Sequence, residues 1–348
     1  MRLNDLPYAN GEPACSGVLR TFPEDFIVEE LSDIVPDGAG EHLLVQVRKR
    51  NANTAWVAGW LAKAAGLRER DIGYAGMKDR HAVTTQWFSV PLINAPEPDW
   101  PQHEDIEILS TAWHGRKLRR GALTGNHFTI TLREVTGDIQ DINARIEQIG
   151  TQGVPNYFGE QRFGRGGQNV ERAQAMFAGR RVKRQQRGLY LSAARSYLFN
   201  RVLAARVQAD TWRQLLPGEA VMLSGSRSFF TTTTLDEALE HRLAAGDVQP
   251  SGPLWGRGDN PATGDAGALE TQTLADAPDL MQGLEQAGLK QERRALRLTV
   301  PDLAHDWLDK NTVQLRFSLP AGCYATSVLR DVLDYELHYE DKSHAKNN

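Results

Sequence analysis

Asn126-His127-Phe128-Thr129-Ile130-Thr131-Leu132 alternates residue by residue. Strand side chains point to opposite faces with period two, so Asn126, Phe128, Ile130 and Leu132 share one face. That face starts polar and aromatic and then turns aliphatic. Just beyond it, Ile139, Ile142, Ile146 and Ile149 mark a helical stripe that stops at Gly150. Toward the N-terminus, residues 42–48 read as a strand, and Asn53-Thr54 reads as the N-cap of an amphipathic helix ending near Gly66. Short β-type runs at 86–90 and 106–109 complete an α+β texture.

After Gly153 the texture changes. A Gly- and Arg-rich segment leads into a long helical stretch from Leu191 to Val207, and residues 249–267 are crowded with Pro, Gly and Asp. Near the end, Val313, Leu315, Phe317 and Leu319 alternate again, and Ala325, Val328, Leu329, Val332 and Leu333 form a helical stripe. The α+β texture has returned. The C-terminal segment is therefore expected to complete the sheet begun in the N-terminal domain, with the middle of the chain an insertion. The length of 348 residues fits two domains. The polar tail from Glu340 is expected to fray.

The first residues, Met1-Arg2-Leu3-Asn4-Asp5-Leu6-Pro7, lack the apolar region of a signal peptide, and no eighteen apolar residues run together. Cys15 and Cys323 are too few for a disulfide framework and too far apart in sequence for a CxxC zinc motif. A reduced, cytoplasmic setting is expected. The formal net charge of -4 argues against a nucleic-acid partner, but its distribution argues the other way. Arg116, Lys117, Arg119, Arg120 and Arg133 lie in one acid-free stretch, Arg180, Arg181, Lys183, Arg184 and Arg187 form a second, and Arg48-Lys49-Arg50 adds a third. The acids concentrate between Asp236 and Asp279, opposed there only by Arg242 and Arg257. A basic face on an acidic body is the expectation.

Cofactor and metal motifs have spacing requirements that this sequence does not meet. Gly164, Gly166 and Gly167 lack both the Lys-Ser/Thr of a phosphate-binding loop and the third glycine of a dinucleotide fingerprint. The histidines, His81, His114 and His127 among them, show no metal spacing, and no GxSxG elbow occurs. Carboxylates are the remaining reactive groups. Asp79, in Gly76-Met77-Lys78-Asp79-Arg80-His81, sits in a small-residue turn where backbone can approach a substrate closely. Glu24-Asp25 is a second candidate, and a turn or cap role suits either site equally well.

Five strings carry a resemblance: residues 21–30 (Thr-Phe-Pro-Glu-Asp-Phe-Ile-Val-Glu-Glu), 76–79 (Gly-Met-Lys-Asp), 125–128 (Gly-Asn-His-Phe), 154–164 (Val-Pro-Asn-Tyr-Phe-Gly-Glu-Gln-Arg-Phe-Gly) and 319–326 (Leu-Pro-Ala-Gly-Cys-Tyr-Ala-Thr). In this order they resemble the TruD family of tRNA pseudouridine synthases, from about residue 15 to residue 335. The resemblance implies an α+β pseudouridine synthase catalytic domain on a mixed or antiparallel sheet, residues 1–152 plus 302–348, interrupted by an inserted α/β TRUD domain at 153–301. It implies cofactor-free isomerisation of uridine 13 of tRNA, with Asp79 the catalytic aspartate, Phe128 packing on the target base and Asn126 beside it. Phe26 and Tyr324 are implied as further pocket aromatics. Arg20 stands where many relatives have Lys, and Tyr324 where Phe is expected.

The reaction breaks the bond from ribose C1′ to N1, turns the uracil and joins C1′ to C5, so it needs no cofactor and no metal. An ionised Asp79 in a partly dry pocket calls for a nearby cation. Were Asp79 on a strand, Lys78 and Arg80 would face away from it, which leaves Arg20. Two alternatives stand beside this reading: a non-catalytic tRNA-binding or chaperone protein, and a glycoside hydrolase pairing Glu24 with Asp79.

Overall fold

The computed structural model describes residues 3–338, so the tail from Glu340 lies outside the described residues. In chain order its first strands are β1 (Ser16–Leu19), β2 (Phe26–Leu31), β3 (His42–Arg50), β4 (Gly73–Tyr74), β5 (Val83–Pro91), β6 (Ile106–His114) and β7 (Gly125–Thr136). The C-terminal run of alternating apolar residues is the strand Thr312–Pro320, preceded by Ala304–Asp309. Together with Asp334–Leu337 these form one ten-stranded sheet among the described residues, ordered Ala304–Asp309, Thr312–Pro320, β7, β2, β5, β3, β6. β1 pairs with both β7 and Asp334–Leu337, and β4 pairs with β5. Only β2–β5 and β1–Asp334–Leu337 are parallel, so the sheet is mixed.

β7 is the spine of this sheet. Thr312–Pro320 runs along one edge of it with Phe317 opposite Phe128 and Leu319 opposite Asn126. Its other edge is shared end to end: β2 covers the first half, with Val28 opposite Phe128, and β1 covers the second, with Leu19 opposite Leu132. The chain leaves β1, makes the short 3-10 turn Pro23–Asp25 and re-enters as β2. Arg20 sits at that break with a left-handed φ of 67°. A non-glycine residue pays a strain of about 1 kcal/mol or more to hold such a conformation, which persists only where the surroundings over-determine it.

Helix α1 (Thr54–Ala64) buries Val57, Ala58 and Leu61 in a core with Leu43, Val45 and Val47 of β3 and Phe88 and Val90 of β5. Each Val, Leu or Phe among them stabilises the unit by about 1.5–3 kcal/mol when fully buried. Asn53 is the N-cap residue, but its side chain makes no capping bond.

By compactness the chain divides into two units. One holds Ala14–Ile146, Val300–Gly322 and the chain from Leu333, and contains the sheet just described. The other holds the chain up to Pro13, Glu147–Thr299 and Cys323–Val332. The division falls inside helix α2 (Ile139–Gln152), whose Ile142, Ile146 and Ile149 are buried while Ile139 is 37% exposed. The segments up to Pro13 and 323–332 thus cluster with the middle of the chain, although sequence texture grouped them with its ends.

This second unit is built on helices α3 (Gln168–Phe177) and α4 (Arg184–Gln208), with Gly264–Leu274 and Pro278–Gln286. Phe158, Phe163, Leu198, Phe199, Leu203, Trp212 and Leu284 form its core. Short antiparallel pairs, such as Ser251–Leu254 with Glu292–Ala295, complete it. No helix among the described residues is long and apolar enough to cross a membrane.

Candidate active site

Asp79 lies not on a strand but in the loop between β4 and β5. Four contacts fix the backbone and flanks of that loop. Gln86 of β5 donates its amide to the Gly76 carbonyl at 3.0 Å. The Lys78 amide donates to Thr54 Oγ1 at 3.0 Å, and that hydroxyl donates in turn to Gln86 Oε1 at 3.0 Å. The Lys78 ammonium pairs with Glu30 at 2.6 Å, both side chains almost wholly buried. The Lys49 ammonium donates to the Asp79 carbonyl at 2.8 Å. The hydroxyl of Thr54, the first residue of α1, is thus committed to the Asp79 loop and to Gln86.

The Asp79 carboxylate is treated differently from its backbone. Arg20 Nη2 donates to Asp79 Oδ2 at 2.6 Å, and the Asp79 side chain keeps 32% of its surface exposed. Arg20 is itself buried, and its guanidinium lies 4.0 Å from the centre of the Phe26 ring. Phe26 meets Phe128 edge-on at 6.2 Å, and Phe128 stacks on Phe317 at 5.4 Å. Arg20 therefore bridges the carboxylate to the aromatic group at the start of β7. Phe128 is 7% exposed, so only a sliver of its ring faces outward. Asn126, two residues earlier on the same face, has a buried Oδ1 with no hydrogen-bond partner.

Burial pushes the Lys49 ammonium down to about 8, against the opposing pull of Asp79, with Lys78 adding to the depression. Its place follows from strand alternation: Leu43, Val45, Val47 and Lys49 share the inward face of β3. Arg48 and Arg50 point outward, where Arg48 pairs with Glu107 at 2.9 Å and Arg50 with Glu24 at 2.6 Å. The triplet Arg48-Lys49-Arg50 is therefore no basic patch. Arg133 is likewise spent on Asp25, at 2.8 Å, and Asp25 also caps the Phe22 amide at 2.9 Å. The Arg50 hydrogen bond holds the Glu24 carboxyl below its usual range. Glu24 and Asp25 thus each carry a structural ion pair.

Other cations remain available. Arg116, Arg119 and Arg120 are exposed on the loop between β6 and β7, and none has a carboxylate partner within salt-bridge distance among the described residues. That loop is fastened to the Asp79 segment by the Gly121 amide, which donates to the Ala75 carbonyl at 2.8 Å.

Arg20, Phe26, Asp79, Asn126 and Phe128 all fall in the unit built on the ten-stranded sheet. Tyr324 falls in the other unit, where its hydroxyl accepts from Arg162 at 2.6 and 2.9 Å and its ring meets Phe158 at 6.1 Å. Arg162 also donates to Ser192 at 2.7 Å. Sequence reasoning gave no role at the site to Glu30, Lys49, Thr54, Gln86 or Arg162. Only Lys49 carried a usable signal, as a charged residue at the fourth inward position of an apolar alternation. No group of three or more potential metal ligands occurs among the described residues.

The model of the family described as tRNA pseudouridine synthase D (TruD) matches residues 2–171 and 167–332. A tRNA pseudouridine synthase D of Methylococcus capsulatus is 50% identical over 337 residues, covering 96% of this chain and 95% of its own. One from Xanthomonas campestris pv. campestris is 52% identical over 346 residues, covering 94% of each chain. A crystal structure of a Methanosarcina mazei protein provisionally assigned to TruD superposes with a TM-score of 0.72 at 22% identity, covering 94% of this chain and 95% of that one, which shows a shared fold. With the five sequence strings, the sheet and a family model matching nearly end to end in agreement, the chain belongs to the tRNA pseudouridine synthase D (TruD) family.

Proposed function

We propose that this protein converts uridine 13 of tRNA to pseudouridine in the cytoplasm, with Asp79 as its catalytic carboxylate. The observation that carries the reading is the contrast within one loop: four contacts immobilise the backbone around Asp79 while its carboxylate keeps 32% of its surface open beside Arg20. A group held this way is pre-positioned for attack or proton abstraction without reorganising at the moment of reaction. On this reading residues 1–152 and 302–348 form the catalytic domain, and residues 153–301 form the inserted TRUD domain.

The isomerisation has no net oxidation and transfers no group to a second molecule, so protein side chains suffice for it. The target base leaves its stack at a cost of a few kcal/mol, which contacts in the pocket offset. Uracil presents one N–H donor flanked by two carbonyl acceptors, and the Asn126 amide, with its partnerless buried oxygen, is complementary to that edge. Phe128 offers the exposed part of its ring to the base, with Phe26 and Phe317 fixing its angle. Tyr324 offers a further aromatic surface to the substrate. Arg116, Arg119 and Arg120, which have no carboxylate partner among the described residues, bind the phosphate backbone.

The test is tritium release from tRNA carrying uridine labelled at C5, because C5 loses its hydrogen on bonding to C1′. Wild type is expected to release label from position 13. Asp79→Asn is expected to bind tRNA normally and to release label at least about 10^3-fold more slowly. Binding without release by wild type would instead identify a tRNA-binding or chaperone protein.

A further inference from the structure

Met77 is 63% exposed, two residues before Asp79, on a loop whose flanks are fastened at Gly76 and Lys78. Single exposed apolar residues are ordinary on protein surfaces. Met77 differs in its setting. The Tyr74 hydroxyl donates toward its sulfur at 4.0 Å, and Arg120 donates to the same hydroxyl at 2.7 Å with its guanidinium 4.1 Å from the Tyr74 ring centre. Tyr74 in turn packs on Phe88 of the sheet core at 5.8 Å. A thioether, a phenol and a guanidinium thus form one contact chain on a rigid base, beside the loop that carries Arg116 and Arg119. Each of the three is a surface on which a nucleobase stacks, and the cations complement RNA phosphate.

We propose that Met77 is a wedge that fills the gap left in the RNA stack when the target uridine is extruded toward Asp79, and that Tyr74 and Arg120 seat the neighbouring nucleotide. This rests on the reading of Asp79 as the catalytic carboxylate. Two residues of chain reach at most about 7 Å, so Met77 stays close to the carboxylate it would serve. Apolar side chains inserted at a base step hold neighbouring bases apart, and a wedge performs this only if its backbone cannot yield. The four fastenings of the Asp79 loop supply that stiffness, so the same contacts that aim the carboxylate also brace the wedge.

Single-turnover tritium release at saturating protein, with tRNA affinity measured separately by filter binding, tests this. Met77→Ala is expected to slow release about tenfold while changing the Kd by less than about twofold and leaving the Tm unchanged, since the lost stacking acts only once the base is out. Met77→Leu, apolar and of similar size, is expected to recover most of that rate. Met77→Gln, similar in length but polar, is expected to resemble Met77→Ala. Release by Met77→Ala at the wild-type rate, a loss seen wholly in Kd, or equal rates for Met77→Gln and Met77→Leu would each overturn the wedge while leaving Asp79 in place. Wild-type protein that binds tRNA and releases no label would overturn the underlying reading itself, and the wedge with it.

Discussion

The run Arg48-Lys49-Arg50 and the loop holding Arg116, Lys117, Arg119 and Arg120 are alike in composition and opposite in fate. In the strand, alternation sends Lys49 inward to the Asp79 carbonyl, while Arg48 and Arg50 meet acids on the surface. In the loop, Lys117 donates to the Arg70 carbonyl and the three arginines face solvent without carboxylates. A basic run on a paired strand is divided between core and neighbouring strands, because each side chain has a fixed register. A basic run on a loop keeps its charge for a partner. The strand's cation is spent on the Asp79 loop, and the loop's cations are the ones proposed above to meet RNA phosphate.

Replacing Lys49 breaks the strand's half of this contrast most severely. Lys49→Met keeps the length and the burial but removes the donor to the Asp79 carbonyl. Release of C5 tritium is expected to fall about 100-fold, the order lost when a reacting group shifts by about 1 Å, with tRNA affinity unchanged. A loss of affinity as large as the loss of rate would place Lys49 with the phosphate-binding cations instead.

The same variant has a signature in stability. Desolvation brings Lys49 down to about 8 from an ordinary 10.5, so the folded protein gives up this proton before the unfolded chain does. Below pH 8 both states hold it and the whole cost of burying the charge is present. Between pH 8 and 10.5 only the unfolded chain holds it, so stability rises with pH, by on the order of 3 kcal/mol across that window. In denaturant melts across this range, wild-type stability should rise with pH relative to that of Lys49→Met. Parallel curves would mean that Lys49 is not the titrating group.

On the loop, Arg116, Arg119 and Arg120 changed together to Ala should weaken tRNA binding about tenfold at moderate salt. Each arginine that meets a phosphate should also, when removed, lower the steepness of the salt dependence by about one. An unchanged slope would show that these arginines do not meet phosphate.

What could be read from the sequence followed the reach of each physical signal. Alternation marked β7 and Thr312–Pro320 because one face of each is buried, and all four of Val313, Leu315, Phe317 and Leu319 are core residues. β6 runs five residues past the predicted end at Leu109, because Ser110, Thr111, Ala112, Trp113 and His114 pair with β3 without forming an apolar run. Two-residue strands such as β4 have no period to detect. The fastenings of the Asp79 loop come from Glu30, Lys49, Thr54 and Gln86, scattered on three strands and a helix, and only tertiary register unites them. Arg20 was reached by elimination from a premise that fails, since Asp79 is on a loop and Lys78 turns to Glu30 rather than to an opposite strand face. Its break in the strand and its left-handed backbone left no mark in the sequence.

The weakest expected effect is the one that most sharpens the comparison. Arg48 and Glu107 are paired at 2.9 Å with side chains 46% and 60% exposed. Such a pair contributes about 0.2–1 kcal/mol, because water screens the attraction and two long side chains lose freedom to make it. Arg48→Ala should therefore lower stability by no more than about that amount, measured by denaturant melts. It should leave both the tRNA affinity and its salt dependence at wild-type values, because the charge it removes is already balanced by Glu107. The same removal of one positive charge thus has two expected outcomes, none at residue 48 and a shallower salt slope at residue 119. Were Arg48→Ala to flatten the slope as Arg119→Ala does, the pair would have to open on binding, with the guanidinium passing from Glu107 to a phosphate. The double change Arg48→Ala with Glu107→Ala separates the cases: a pair that stays closed gives wild-type binding, whereas a cation handed to RNA leaves the slope reduced whether or not the acid is present.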